Sequence, residues 1–141
     1  MIIMTKEDKQ ILLRDLCARL FYGVKGRYCL YDSNGNLTDW GSEPEIVENI
    51  DLQKEKIWTD NTVQGYYLDE FKVYLRPMSS MTKEERLVYE QRFHDVGRSI
   101  DVIDADDVVP HIDWLLSHHF DFRGLIEKGL ALEAEPEMYK I

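Results

Sequence analysis

Residues 28–36 read YCLYDSNGN, and this stretch predicts the element around which the rest of the chain is arranged. Its first four residues are apolar or aromatic, as is typical of a strand. The remaining five form a turn cluster that contains Asn34-Gly35, the strongest short-range signal for a β-hairpin, because both residues tolerate the positive φ that a tight turn requires. We therefore expect a strand, a tight turn and a returning strand.

Outward from this hairpin, the block 24–75 holds most of the aromatic and β-branched residues that precede the C-terminal third. Short runs of strand-forming residues are separated by turn-forming residues, and the runs after the hairpin lie at 46–52, 56–59, 65–68 and 71–75. Short strands separated by turns predict a small central antiparallel sheet. The sequence leaves open whether this sheet curls into an SH3-like open barrel.

Two copies of one short phrase flank the strand block and predict helix starts. Met-Thr-Lys-Glu opens the chain at position 4 and recurs at position 81. Asp8 follows Thr5 by three residues and Glu85 follows Thr82 by three, so each hydroxyl can accept the N3 amide while the acid faces the positive end of the helix. Only the second copy is a full capping box, because Asp8 is shorter than the Glu or Gln of that motif.

The first helix is predicted over about 5–20 from the spacing of its apolar residues. They recur at helical intervals and form one stripe: Leu13, Leu16, Cys17 and Leu20. Cys17 is therefore predicted to be a small buried hydrophobe, and together with Cys29 it shows neither a disulfide framework nor a metal-type spacing. Gly23 should end this helical region. The segment 23–26, GVKG, lacks the spacing of a phosphate-binding loop.

Two further helices and a short last one are predicted after the sheet. Gly97 should end the second helix, and Asp107 should cap the third, because this places Pro110 in the first turn, where its missing N–H does no harm. The third helix shows a core stripe of Val108, Ile112, Leu115, Leu116 and His119. Asp121 should cap a last short helix that ends at Gly129. The whole pattern predicts an α+β fold: an N-terminal helix, a small central antiparallel sheet and C-terminal helices.

Composition bounds the class of protein. A chain of 141 residues with 44% apolar and 31% charged residues fits a single globular domain over 1–141. With 27 acidic against 17 basic residues its net charge is −10, which argues against a nucleic-acid partner and against an anionic membrane surface. No stretch has the length of a signal-peptide core or a membrane span, so we expect a cytoplasmic protein whose partner, if it has one, is another protein.

The third helix carries the best candidate binding residues. At about a hundred degrees per residue, His111, Trp114 and His118 share a second face, away from the core stripe. This face is predicted either to continue the core or to be an exposed anchor, since a Trp flanked by two polar rings suits an interface hot spot. A metal site is disfavoured, because Asp107 would be engaged as a cap and Asp113 points elsewhere. We expect no metal, no cofactor and no catalytic residue.

An enzymatic alternative can also be built from the sequence. Pro44-Glu45 followed by Glu70-Phe71-Lys72 resembles the layout of Mg²⁺-dependent nucleases, in which two carboxylates hold the metal and a lysine orients the attacking water. Acid-x-lysine arises by chance in so charged a chain, and the net charge would repel DNA. The alternative to a binding protein is therefore a metal-dependent hydrolase or nuclease-like enzyme. Its site would use either the strand with Glu70 and Lys72 or the histidine-rich third helix.

Three longer strings occur together at both ends and in the centre of the chain: LCARLFYGVK at 16–25, YLRPMSSMT at 74–82 and HHFDFRGLIEKGL at 118–130. The chain thereby resembles a family of small uncharacterised proteins encoded by gut Bacteroidales and by their phages and prophages. In that family a proline usually stands in the place of Phe21, and the segment 32–65 varies greatly. The resemblance transfers no residue role; it implies an intracellular accessory protein of mobile-element origin. The expected function is thus a non-enzymatic accessory or protein-interaction protein.

Overall fold

The computed structural model describes residues 4–96 and 105–139 and has the predicted α+β fold. It begins with helix α1 (Lys6–Arg19), which a 3-10 turn (Leu20–Tyr22) extends. Six strands follow: β1 (Lys25–Tyr31), β2 (Leu37–Trp40), β3 (Glu45–Asp51), β4 (Lys56–Thr59), β5 (Tyr66–Tyr67) and β6 (Phe71–Pro77). The C-terminal part contains helices α2 (Lys83–Val96) and α3 (Ala105–Ser117) and strands β7 (Phe120–Asp121) and β8 (Ala131–Glu133).

The strands form one open sheet in the order β5-β4-β3-β1-β6-β7, with β2 added to β1 and β8 added to β6. The pairs among β1 to β6 are antiparallel, as predicted. β7 and β8 pair parallel with β6, so the sheet as a whole is mixed, and the predicted antiparallel part is the one formed by β1 to β6. The chain leaves β6 through α2 and α3 and returns beside it, and such a crossover is the connection that parallel pairing needs.

The hairpin at residues 28–36 is confirmed and joins β1 to β2. The Asp32 carboxylate accepts the backbone N–H groups of Asn34 and Asn36, each at 2.9 Å, and Gly35 has a φ of 84°. The Asp32 side chain thus adds two bonds to the one that its backbone carbonyl accepts from the Gly35 N–H at 3.0 Å, and glycine supplies the left-handed conformation. In the resulting register Cys29 lies opposite Trp40 and Leu30 opposite Asp39.

Helix α1 starts at the first predicted cap, but its buried face differs from the predicted stripe. The Thr5 hydroxyl accepts the Asp8 amide at 3.1 Å, and the helical region ends at Gly23 with φ 68°. The buried residues are Leu12, Asp15, Leu16 and Arg19. Cys17 is exposed, so its prediction as a core residue was wrong. The buried face of α1 is rotated relative to the predicted stripe, because the ion pair of Asp15 with Arg19 occupies two buried positions.

Helix α2 starts with the predicted capping box. The Glu85 amide donates to the Thr82 hydroxyl at 3.1 Å, and the Thr82 amide donates to the Glu85 carboxylate at 2.9 Å. Glu85 also accepts two hydrogen bonds from Arg76 at the end of β6, at 2.6 and 2.8 Å, and this arginine is the main reason why its pKa falls to about 2. The cap therefore fixes α2 to the sheet as well as starting it. Gly97, predicted to end α2, lies outside the described residues.

We expect Thr82→Ala to lower the free energy of unfolding by about 1 kcal/mol, because it removes the acceptor of the Glu85 amide. Thr5→Ala should cost less, because among the described residues its cap lacks the return bond that Glu85 accepts from the Thr82 amide. Chemical denaturation of both variants and of the parent chain measures the two losses. Equal midpoints for Thr82→Ala and the parent would contradict the role of this cap.

The predicted starts of the last two helices need correction. Helix α3 already includes Ala105, so Asp107 lies inside it and is not its N-cap. Pro110 therefore lies within the helix. The second cap, Asp121, does accept two backbone amides at 2.9 Å, from Leu125 and Ile126. These two residues follow Asp121 by four and five positions, however. The bonds hold a series of turns in the segment where a short helix was predicted. A carboxylate that bridges two amides of a turn looks the same in sequence as a helix cap.

The main core lies between α1, the sheet and the turns near residue 125. Fully buried members come from all three parts: Leu16 from α1, Val24, Phe71 and Leu75 from the sheet region, and Leu125 from the turns. Ile112, predicted as core, is half-buried, whereas Leu115 and Leu116 are buried. The side chain of Val108 lies outside the described set. No helix in the described ranges combines the length and apolar character that a membrane crossing requires.

Candidate interaction surface

Of the three residues predicted as a binding face, His111 and Trp114 lie on α3, His118 directly follows its last residue, and all three are half-buried. The ring of Trp114 lies 4.5 Å from that of His118, 5.9 Å from Phe120 of β7 and 6.5 Å from Tyr89 of α2, measured between centroids. His118 also places Nδ1 2.9 Å from the Trp114 carbonyl oxygen. Trp114 is thus the centre of an aromatic cluster that joins α3 to α2 and the sheet. The binding role of His111, Trp114 and His118 stays a prediction.

His119, predicted on the core stripe of the third helix, is buried but follows the end of α3. Its φ of 63° is left-handed, and its ring stacks on Tyr139 with 3.7 Å between centroids. Burial and, to a lesser extent, the nearby cations Arg19 and Arg76 together lower its pKa to about 4. A histidine held neutral beneath another ring acts as a packing residue. Among the residues of 4–96 and 105–139 no group of three His, Cys, Asp or Glu side chains is arranged to hold a metal ion.

Glu45 and Lys72, the first carboxylate and the lysine of the nuclease layout, lie on opposite faces of the sheet. Glu45 pairs with Gly26 of β1, and Lys72 pairs with the next residue, Arg27. Because successive residues of a strand point to opposite faces, Glu45 projects into the core side and Lys72 away from it. Glu45 is also buried, and its carboxylate accepts hydroxyl groups from Thr59 at 2.6 Å and Tyr66 at 2.9 Å.

The rest of that layout has structural roles as well. Burial and the hydrogen bond to Glu45 raise the pKa of Tyr66 to about 12, so this hydroxyl stays a donor. Glu70 accepts the Tyr67 amide at 3.0 Å and so closes the turn before β6. Glu45, Glu70 and Lys72 are therefore not brought together around one metal position.

The face of the sheet that carries Lys72 has a chemistry that the net charge conceals. Arg27 of β1 and Lys72 of β6 are direct cross-strand neighbours. No carboxylate in the described ranges lies within ion-pair distance of either. Like charges directly opposite each other destabilise a sheet. In a chain with ten more acidic than basic residues, two adjacent cations without an acid beside them need an explanation.

Aromatic rings accompany both cations. The Arg27 guanidinium lies over the Trp40 ring and 5.9 Å from the centroid of Tyr74, and the Lys72 ammonium lies 5.8 Å from the centroid of Tyr31. Such contacts hold cations in place without neutralising them. Trp40 remains 45% exposed and Leu37, which pairs with Tyr31, remains 46% exposed. We call Arg27, Tyr31, Leu37, Trp40 and Lys72 the cationic face.

Cys29 lies on the same side of β1 as Arg27 and Tyr31, opposite Trp40 in the register, and is buried. Burial raises the pKa of its thiol, and this effect exceeds the opposing influence of Lys72 and Arg27. The thiol therefore stays protonated and contributes packing. Nearby, a pocket of about 300 Å³ is lined by residues of 29–33 and 67–70. Two of its three acidic side chains, Asp32 and Glu70, already hold backbone amides of their own turns, so we assign it no ligand.

The cationic face could not be predicted from the sequence, because its members come from three strands. Within β1 the alternation of Arg27, Cys29 and Tyr31 places these residues on one face, and this much is readable from sequence. The pairing of Arg27 with Lys72 and of Cys29 with Trp40 depends on register, which a single sequence does not specify.

Comparison with known proteins adds no relative: no protein-family model, no curated protein and no solved structure matches this chain.

Proposed function

We propose that this protein is a non-enzymatic accessory protein that binds another protein through its cationic face. The observation that carries the proposal is the adjacency of Arg27 and Lys72, without acidic partners in the described ranges, beside the exposed ring of Trp40. Interface hot spots are enriched in Trp, Tyr and Arg, which contribute large contact areas and directional hydrogen bonds. The cationic face contains all three residue types within neighbouring strands.

Charge repulsion between Arg27 and Lys72 favours a partner over a purely structural role. Two like charges held in register cost free energy in the isolated chain. A partner that covers them with opposite charge converts this cost into binding free energy and into specificity. The cluster around Trp114 has the converse character, because three rings of the same chain already lie against that Trp. The cationic face is therefore the preferred binding surface, and the Trp114 face is the second candidate.

The cellular context of this function is part of the proposal. The resemblance to Bacteroidales and phage-encoded proteins supports an accessory protein of phage or mobile-element type that acts in the cytoplasm. The enzymatic alternative, a metal-dependent hydrolase or nuclease-like enzyme, has less support, because Glu45 and Lys72 project from opposite faces of the sheet.

Affinity capture with matched variants tests the proposal. The full-length chain is immobilised, exposed to a lysate of the organism that encodes it, and the retained proteins are identified by mass spectrometry. We expect a partner that is retained by the parent chain and lost with Trp40→Ala, because this change removes the central apolar contact of the face. The matched control is Leu52→Ala, which removes an apolar side chain that is more exposed than Trp40 (61% against 45%) from the turn between β3 and β4.

Two outcomes would overturn the proposal. Loss of the partner with Trp114→Ala, together with its retention by Trp40→Ala, would transfer the binding site to α3. Equal retention by all variants, or no specific partner at all, would remove the support for protein binding through this face. Thermal melts of each variant show beforehand that it is folded.

A further inference from the structure

We infer that the occupant of the cationic face is an acidic segment of the partner protein, whose carboxylates contact Arg27 and Lys72 while its apolar side chains cover Trp40 and Leu37. This inference rests on the proposed function and adds the chemistry of the ligand. Charge complementarity is its basis, because the two cations have no carboxylate within ion-pair distance in the described ranges.

The geometry of Arg27 favours a carboxylate as the group that it binds. None of the guanidinium N–H groups of Arg27 donates a hydrogen bond to an acceptor among residues 4–96 and 105–139. Its Nε is buried without a partner there. Trp40 and Tyr74 hold the guanidinium plane, so less rotamer entropy is lost when a ligand binds. A planar guanidinium with unused terminal N–H groups matches the two oxygens of a carboxylate.

The apolar side chains on the same side of the sheet favour a peptide over a nucleic acid. Leu37 and Trp40 are exposed beside the cations, and Ile46 of β3, which pairs with Lys25 on this side, is 39% exposed. Aliphatic side chains cover apolar side chains of a peptide well, whereas bases need bare aromatic planes. Arg27 already covers one side of the Trp40 ring, and Tyr74 is only 9% exposed, so a continuous stacking platform is missing here.

The electrostatics point the same way. Binding of a nucleic acid gains most of its affinity from the neutralisation of many phosphates. The cationic face offers two cations in a chain of net charge −10, so a dense polyphosphate is repelled at long range while gaining few contacts. A peptide can place one or two carboxylates on the cations and otherwise carry apolar residues.

The inference is tested with defined probes on the full-length, ¹⁵N-labelled protein. A synthetic peptide of alternating Glu and Val is titrated while the indole N–H of Trp40 and the backbone amides of β1, β2 and β6 are followed by NMR. The same peptide with Gln in place of Glu and a short oligothymidylate serve as the other probes. We expect saturable shifts at the cationic face with the Glu peptide only, and weaker binding as salt is raised.

Charge variants complete the experiment. Lys72→Gln should weaken binding of the Glu peptide about tenfold, the change expected when one charge-assisted contact is lost. Lys54→Gln is the matched control, because Lys54 is an exposed lysine in the turn between β3 and β4 and its loss changes the net charge equally. Equal weakening by both variants would show an effect of net charge and would overturn the inference.

The remaining outcomes separate the ligand chemistry from the proposed function. Shifts at the cationic face with oligothymidylate but not with the Glu peptide would identify a nucleic-acid site and overturn the inference. If capture of a host protein depends on Trp40 but is unchanged by Lys72→Gln, the protein-binding function stands and the acidic ligand is wrong. If neither capture nor peptide binding occurs, both proposals fail.

Discussion

Asp15→Ala is expected to lower the free energy of unfolding by about 3–5 kcal/mol, the largest loss that we predict for a single substitution. Asp15 and Arg19 are both fully buried, and the Asp15 carboxylate accepts Nε of Arg19 at 2.6 Å and Nη2 at 3.1 Å. Removal of the carboxylate leaves a guanidinium charge enclosed with no counter-charge. Nη2 of Arg19 would keep only its bond to the Phe120 carbonyl oxygen, at 2.7 Å.

The loss should extend beyond α1, because Asp15 also accepts a hydrogen bond from Nε of Arg123 at 3.1 Å. Asp15 therefore fixes the start of the C-terminal turns to the first helix, and Arg19 fixes β7 through Phe120. Denaturant unfolding of the variant measures the cost. The double variant Asp15→Ala/Arg19→Met should recover part of the loss, since it removes the unpaired charge together with its partner.

If the Asp15–Arg19 pair were instead exposed on the helix surface, Asp15→Ala would lower the free energy of unfolding only slightly. Exposed i, i+4 ion pairs contribute about 0.3–0.5 kcal/mol. A loss of that size for Asp15→Ala, or no recovery in the double variant, would show that the pair is solvated in solution.

The Asp15–Arg19 ion pair is also the reason why the buried face of α1 could not be predicted from the sequence. An acid and an arginine four residues apart on a helix read as a solvated pair, and apolar residues read as the buried face. This rule placed Cys17 in the core, although the burial of Asp15 and Arg19 turns the helix and exposes it. The helix caps at Thr5 and Thr82 and the Asn34-Gly35 hairpin were predictable, because each depends on hydrogen bonds within five residues.

Features that depend on long-range pairing were not predictable from one sequence. β7 has two residues and β8 has three, which is too short for an alternating pattern. Their parallel pairing with β6 is fixed by contacts across the sheet, such as Arg76 opposite Phe120. The cationic face has the same origin, since Arg27 and Lys72 lie 45 positions apart in sequence and become neighbours only through the register of β1 on β6.

Gly26→Ala is expected to cost about 3 kcal/mol, at the upper end for a residue that is too large for its site. A Cβ atom at Gly26 would lie 2.5 Å from the Lys72 carbonyl oxygen and 2.5 Å from Cε1 of Phe71. The carbonyl belongs to the backbone of β6, and Phe71 is 1% exposed, so neither neighbour has room to withdraw. At Gly26 the backbone of β1 thus lies too close to β6 and its core ring to leave room for a Cβ atom.

Gly23 provides the matched control, because it lies three residues earlier and needs glycine for a different reason. Its φ of 68° is left-handed, and no atom lies within 4 Å of a Cβ placed there. Gly23→Ala should therefore cost only the conformational strain, about 1–2 kcal/mol. Denaturant unfolding of the two variants should rank Gly26→Ala as the more destabilised, and the reverse order would contradict the close approach of β1 to β6.

A second variant isolates the two contacts of Gly26. Gly26→Ala/Phe71→Leu replaces the ring with a smaller side chain and so relieves one contact, while the Lys72 carbonyl oxygen still blocks the other. Measured against Phe71→Leu alone, Gly26→Ala should then cost less than in the parent chain but remain destabilising. Because Arg27 and Lys72 are neighbours in this same register, a shift of the two strands in Gly26→Ala should also displace the NMR signals of the cationic face.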